Sequence, residues 1–249
     1  MFFDTRHHLL YDVEDYTRCP QDEQMSLSMA YRAYVQGCRF IMVTPPASAF
    51  LNAEAKGIPL RMRFDSLRRE IRRYLPDMEL GLGCELECSR DNVDELIQHL
   101  KAGRLPTLNG SHWVLVSFAD TIMREELWFC LERLDKAGYH PVLCHAQSIQ
   151  SLKYDIQEMK ELRNAENRFP CLIQLDTLSL HHFSPDRDWA RKMIEHCVVD
   201  VLGTDARNTF TNPPHIWEEL ESIVNLCDPA YLAAIIEGNG KQYFQKEGS

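Results

Sequence analysis

The chain has 249 residues, 45% of them hydrophobic and 26% charged, a formal net charge of -10 and nine cysteines. That size suits one large α/β domain, and the acidic balance excludes a general nucleic-acid surface, which needs a basic footprint. The cysteines form no C-x-x-C pair, and Cys38, Cys84, Cys144, Cys171 and Cys197 sit in or beside apolar runs, so reduced core thiols and a cytoplasmic location are expected. With no signal core at the amino terminus and no apolar stretch of membrane-spanning length, the chain is not expected to be membrane-embedded.

In chain order, seven short apolar runs each end in polar residues: Met1–Phe3 before Asp4 to His8, Phe40–Val43 before Thr44-Pro45-Pro46, and Leu80–Cys84 before Glu85. Trp113–Val116 precedes Ser117, Pro141–Cys144 precedes His145, Cys171–Leu175 precedes Asp176, and Val198–Leu202 precedes Gly203 to Arg207. The endings recur at roughly the length of a strand–helix–strand unit, about 30–40 residues. Parallel strands of a barrel bring such carboxyl ends to one mouth.

Between the runs, Asp12 to Pro20 reads as turn-rich, Asp22-Glu23-Gln24 opens a helix and Gly37 stops it. Phe50 to Gly57 reads as a connector. Leu60 to Leu75 carries Arg61, Arg63, Arg68, Arg69, Arg72 and Arg73 interleaved with Leu67, Ile71 and Leu75. It reads as an amphipathic helix, either simply solvated or docking an acidic partner or a second copy in a homo-oligomer. Helices are expected over Asp91 to Ala102, Glu125 to Ala137, Ser148 to Asn164, Trp189 to Cys197, His215 to Leu226 and Pro229 to Gly238, with residues 240–249 as a frayed tail. No linker or repeat interrupts the pattern, so one domain over 1–249 is expected.

Four of the endings, His8, Glu85, His145 and Asp205, are imidazoles and carboxylates, a donor set that suits Mn²⁺, Fe²⁺ or Zn²⁺. The adjacent His181-His182 reads as a loop pair, because neighbouring side chains do not point together. Cys144 lacks the amide-rich loop that a thiol phosphatase needs, and that mechanism is rejected.

Nearly the whole chain resembles the bacterial tyrosine-protein phosphatases of the polymerase-and-histidinol-phosphatase (PHP) superfamily, the capsule and exopolysaccharide regulators. Asp4-x-x-x-His8-Leu9-Leu10 resembles their D-x-H-x-H-I-L opening, with Glu14-Asp15 at their acidic pair. Ser26-Leu27-x-Met29-Ala30, Gly37 and Thr44-Pro45 resemble S-L-x-M-A leading into T-P-H, and Gly83-x-Glu85 resembles G-x-E. Asn109-Gly110 leads into a strand as in the family. Pro141 to His145 resembles P-V-L-A-H, Gln174-Leu175-Asp176 resembles Q-x-N, Gly203 to Asn208 resembles S-D-A-H-N, and Pro213-Pro214 resembles R-P-P.

The resemblance implies a distorted seven-stranded, TIM-like (β/α)7 barrel that binds divalent metals, chiefly manganese, and hydrolyses phosphotyrosine on tyrosine autokinases. Carried over, the metal ligands are His8, Glu85, His145 and Asp205, with Asp4, His7 and Asp176 as supporting residues. The departures are Arg6, Pro46, Ser117 and Arg207 at metal-ligand positions, and Ser148 and Asn212 at phosphate-arginine positions. Three arrangements stay open. Arg6 facing Asp205 and Arg207 facing Glu85 would replace the metals, since carboxylates about 4 Å apart repel by roughly 4 kcal/mol at an effective dielectric near 20. Alternatively, Arg6 and Arg207 bind an anion, with His8 and His145 as donors or proton-transfer groups. In the third, one metal survives on His8, Glu85 and Asp205, with His145. Function is thereby divided between a phosphoesterase of reduced or altered activity and a silent module that binds an anion or a phosphoprotein.

Overall fold

The computed structural model describes residues 1–13, 19–55, 60–163 and 169–245. The expected acidic pair Glu14-Asp15, Gly57, Asn164 and residues 246–249 lie outside the described residues.

Strands and helices alternate from the first residues. β1 (Phe2–His7) is followed by α1 (Glu23–Val35), β2 (Cys38–Val43), α2 (Ala47–Ala55), α3 (Leu60–Tyr74), β3 (Glu79–Leu82) and β4 (Glu85–Glu87). Then come α4 (Val93–Lys101), β5 (Trp113–Ser117), α5 (Arg124–Lys136), β6 (His140–Leu143), α6 (Ile156–Arg163) and β7 (Leu172–Asp176). α7 (Arg187–Glu195), β8 (Val201–Gly203), α8 (Trp217–Glu221), α9 (Pro229–Ala233) and α10 (Asn239–Phe244) complete the order.

The expected seven strands become eight among the described residues, in two parallel sheets of order β1-β2-β3 and β4-β5-β6-β7-β8. The third apolar run is the cause. Its strand ends at Leu82, and Glu85 opens a new strand instead of closing the old one. Gly83 N–H donates to the Val43 carbonyl at 2.9 Å and Glu85 N–H to the Pro45 carbonyl at 3.0 Å, so the chain follows β2 past its end. A Cβ on Gly83 would lie 2.7 Å from Leu108, which explains the glycine at this crossing. Two isolated parallel bridges link the two sheets at both seams, Pro46 just past β2 with Glu85 of β4, and His7 of β1 with Ala206 just past β8.

Alternation along the strands builds two cores. Phe3, Phe40, Met42, Leu115, Val142, Cys144, Leu172 and Val201, drawn from both sheets, pack on one face with Leu108 and Phe244. Their neighbours Phe2, Ile41, Val43, Val114, Val116, Leu143, Ile173, Leu175 and Leu202 face the helices.

Local signals placed several helices well. Asp22 caps α1 by accepting from Met25 N–H at 2.8 Å, and Gly37 leaves it at φ +90°. Other boundaries moved. The expected connector at Phe50 is inside α2, whose Ala49, Phe50 and Ala53 are buried. The helix expected from Ser148 begins only at Ile156, and the one expected over His215 to Leu226 is confined to Trp217–Glu221. The expected frayed tail is instead α10 up to Phe244, reached through a π-helical turn at Ala234–Gly238. Phe244 is buried against Phe3 and Trp113, and that burial overrides the polar composition around it.

Candidate functional site

The inward face of the strands turns polar toward the carboxyl ends. On β7 the period of two that points Leu172 inward also points Gln174 and Asp176 inward, and Cys144 leads into His145 after β6. His145 and Asp205 take left-handed backbone conformations, φ +55° and +50°. For non-glycine residues that strain persists only where surrounding contacts hold it.

Arg6 is the centre of the group. It is fully buried, and its guanidinium binds three carboxylates from three different strand ends. Nε and Nη2 donate to Glu85 Oε2 at 3.0 and 2.7 Å. Nη1 lies 2.8 Å from Asp205 Oδ1 and donates to Asp176 Oδ1 at 3.3 Å. Burial pulls the Arg6 pKa down, but Asp205 and Glu85 outweigh it and hold the group well above its usual value. The reverse holds for the acids. Burial raises each, yet Arg6 holds Glu85 below the usual range, and Arg6 with His8 holds Asp205 well below it. Burial likewise opposes the fall of Asp176 to about 2, which the charge and hydrogen bond of His145 and the charge of Arg6 produce.

The two histidines differ. His145 Nδ1 lies 2.6 Å from Asp176 Oδ2; burial and Arg6 lower its pKa, but Asp176 prevails and raises it. His8 has its pKa lowered by burial despite Asp205 Oδ1 at 3.1 Å from Nε2. That contact is short but misaligned for hydrogen bonding, so both His8 ring nitrogens are buried without a hydrogen-bond partner. Arg207 does not face Glu85, as one expected arrangement had it. Nε and Nη2 donate to Asp205 at 3.1–3.3 Å, because Asn212 N–H groups and carbonyl fold the loop back over β8. Asn212 is therefore a loop tie rather than a phosphate donor.

His7 and Asp4 turn away from the carboxylates. His7 Nδ1 lies 2.8 Å from Asp4 Oδ2, and Asp4 also accepts from Thr204 N–H at 2.9 Å and the Thr204 hydroxyl at 2.6 Å. They buttress the β1–β8 seam, and His7 does not replace the missing histidine at position 6. Two partners of the site were given no role from the sequence, although Gln174 stands in the stretch that resembles Q-x-N. Gln147 and Gln174 donate to Asp176 at 2.8 and 3.0 Å and fix its carboxylate. Gln174 carried a usable signal, a polar residue at an inward position within an apolar strand.

The arrangement does not fit a multinuclear metal centre. Three carboxylates face two guanidiniums and an imidazole whose raised pKa favours its cationic form, so their charge is already balanced. Ligand atoms of Glu85, Cys144 and His145 lie within 4.8 Å of one another. The buried Cys144 thiol, however, has its pKa pushed well up by burial and by Glu85, and a protonated thiol is a poor ligand. The same shift rules against a Cys144 nucleophile, and all nine cysteines are free thiols.

Fold and site together define an α/β protein whose parallel strands bring a cluster of buried charged residues together around Arg6. The fold is shared with that reported in "Crystal structures of YwqE from Bacillus subtilis and CpsB from Streptococcus pneumoniae, unique metal-dependent tyrosine phosphatases", at a TM-score of 0.76 and 20% identity, covering 98% of this chain and 94% of that one. Residues 2–245 match the family described as capsular polysaccharide synthesis, CpsB/CapC, and the chain belongs to that family. Among its relatives, the tyrosine-protein phosphatase CpsB of Streptococcus agalactiae serotype III (strain NEM316) is 24% identical over 227 residues, 88% of each chain. That of Streptococcus pneumoniae is 22% identical over 232 residues, again 88% of each.

Proposed function

We propose that this chain is a CpsB-type phosphoesterase directed at phosphotyrosine proteins of capsule or exopolysaccharide synthesis, with tyrosine autokinases as the expected partners, and that its metal-dependent hydrolysis is curtailed. The family match and the full-length relatives support the substrate class. One observation carries the curtailment: Arg6 binds Glu85, Asp176 and Asp205, the carboxylates a divalent ion would need. An ion placed there would face a fixed guanidinium charge in a buried setting. Substrate phosphate would meet His145, the outer edge of Arg207 and the unpartnered nitrogens of His8. His145 is the proton donor in this reading, because its pKa is raised and its side chain is partly exposed.

The charge balance of the cluster favours a second reading, in which the site binds phosphotyrosine without turning it over. The architecture belongs to the same proposal. With β3 and β4 taken as one strand interrupted at Gly83-Cys84, the chain makes a single seven-stranded (β/α) barrel over residues 1–249, and the two seam bridges support it. A cytoplasmic location follows from the partner class; among the described residues no helix is long and apolar enough to cross a membrane.

The test is phosphotyrosine-peptide turnover with manganese, iron or zinc supplied, alongside a streptococcal CpsB. Slow turnover that vanishes in Asp205→Ala and rises with metal in Arg6→His is the expected result. Parent turnover equal to that of the streptococcal enzyme would sink the curtailment. Peptide binding without turnover would select the second reading.

A further inference from the structure

We propose a metal site, separate from the Arg6 cluster, between the turn that follows β7 and the helix that follows β8. Its ligands are His181, Glu218 and Glu219, with His215 beside them, and the ion is a borderline divalent cation of the zinc type.

His181 ends the 3-10 turn Thr177–Leu180 that follows β7, and Glu218 and Glu219 lie in α8. One ligand atom from each lies within 4.8 Å of the others. Glu219 is the telling residue. It is only 2% exposed, and its Oε1 has no hydrogen-bond partner. The nearest cationic candidate, His215 Nδ1, stands 3.7 Å away, beyond hydrogen-bond reach. A buried carboxylate oxygen left in that state is costly unless a cation completes it. His215 is placed to contribute: its ring lies 5.5 Å from that of His181, and its carbonyl accepts from the Thr177 hydroxyl at 2.6 Å.

Imidazole with carboxylate is a donor set zinc accepts, at roughly 2.0–2.2 Å per bond. Reaching that distance requires a small inward movement, and the partly exposed His181 and the exposed Glu218 are free to make it. The Phe183 N–H contact to His181 Nδ1 is long, 3.4 Å, so it does not commit either ring nitrogen. His182 takes no part; its ring lies tilted against those of His181 and Phe183, and the further ligands come from α8 instead. Bound there, the ion would tie the turn after Asp176 to the helix after the Arg207 loop, and so brace one rim of the candidate active site.

The experiment is zinc titration of the full chain against a chromophoric chelator. Parent, Glu219→Gln, His181→Ala and His145→Ala are compared, the last reporting on the Arg6 cluster, with circular dichroism checking folding. One equivalent held by both the parent and His145→Ala, with affinity weakened about tenfold or more in the other two, is expected. If Glu219→Gln does not fold, His181→Ala on its own decides. No zinc held by the parent, unchanged affinity in His181→Ala, or loss confined to His145→Ala would each overturn the proposal.

Discussion

Arg6 is where a single residue decides most. A buried guanidinium bonded to three carboxylates is stabilising chiefly because its removal leaves uncompensated charge. Arg6→Met is expected to cost about 3–5 kcal/mol in urea unfolding, the range for breaking one partner out of a buried ion pair. A loss below about 1 kcal/mol would mean the carboxylates relax into water. The pH dependence has two limbs of opposite sign. Asp176, Glu85 and Asp205 have lowered folded pKa values, so their contribution is complete above the unfolded carboxylate range near 4 and is lost as pH falls through the folded values, about 2 for Asp176. His145 has a raised pKa, so its contribution is complete below about 6.5 and is lost as pH rises through the folded value. His8, whose pKa burial lowers, joins the acid limb below about 6.5, so stability is expected to be greatest near roughly pH 6.5 and to decline on both sides. Chemical denaturation across pH should show the alkaline limb disappear in His145→Gln while the acid limb remains. These residues could be read from the sequence as polar positions after apolar runs, although Glu85 opens β4 rather than ending β3. Which acid each arginine takes could not, since residues 6, 85, 176 and 205 meet only in the folded chain.

Among the elements, β8 shows how closely the strands approach. A Cβ on Gly203 would stand 2.7 Å from Gln174 Nε2, 2.9 Å from Arg6 Cβ and 3.0 Å from Arg6 N. Two of those neighbours belong to β1 and cannot retreat without opening the His7–Ala206 seam. Gly203→Ala is expected to cost about 1–3 kcal/mol, the usual range for overpacking, and to speed amide exchange at Asp205 and His8, whose N–H groups bond across that seam. Unchanged exchange there would show that the seam is not strained by the added methyl. Strand positions were visible as apolar runs, because alternation and burial act locally. The break at Gly83 was not, since β3 ends where β2 and Leu108 crowd it, and neither is near in sequence. α2 was missed for a related reason: its apolar side is recognisable only once the sheet it covers exists.

Across the whole molecule, the inner core is closed at one end by Phe244 and opens at the other on the Arg6 cluster. Phe3 stacks on Phe40 at 4.0 Å between ring centroids, and Trp113 and Phe244 pack around them. Phe244→Ala is expected to destabilise by about 3–5 kcal/mol, the cost of deleting a buried phenyl ring, and thermal unfolding should remain a single transition. Loss of only a few tenths would show that α10 is an appendage rather than part of the core.

The sequence by itself determined the alternating α/β plan, the strand endings that carry the site and the replacements at positions 6, 46, 117 and 207. The plan and the polar positions follow from periodicity and residue chemistry, which are local, and the replacements from the resemblance to the family's motifs. Only the tertiary structure decided that Arg6 binds three acids at once, that Arg207 turns back on Asp205, and that His181 comes within 4.8 Å of Glu218 and Glu219. Each of these depends on where strand ends converge and on what burial does to charge. Neither is defined until the sheets have assembled.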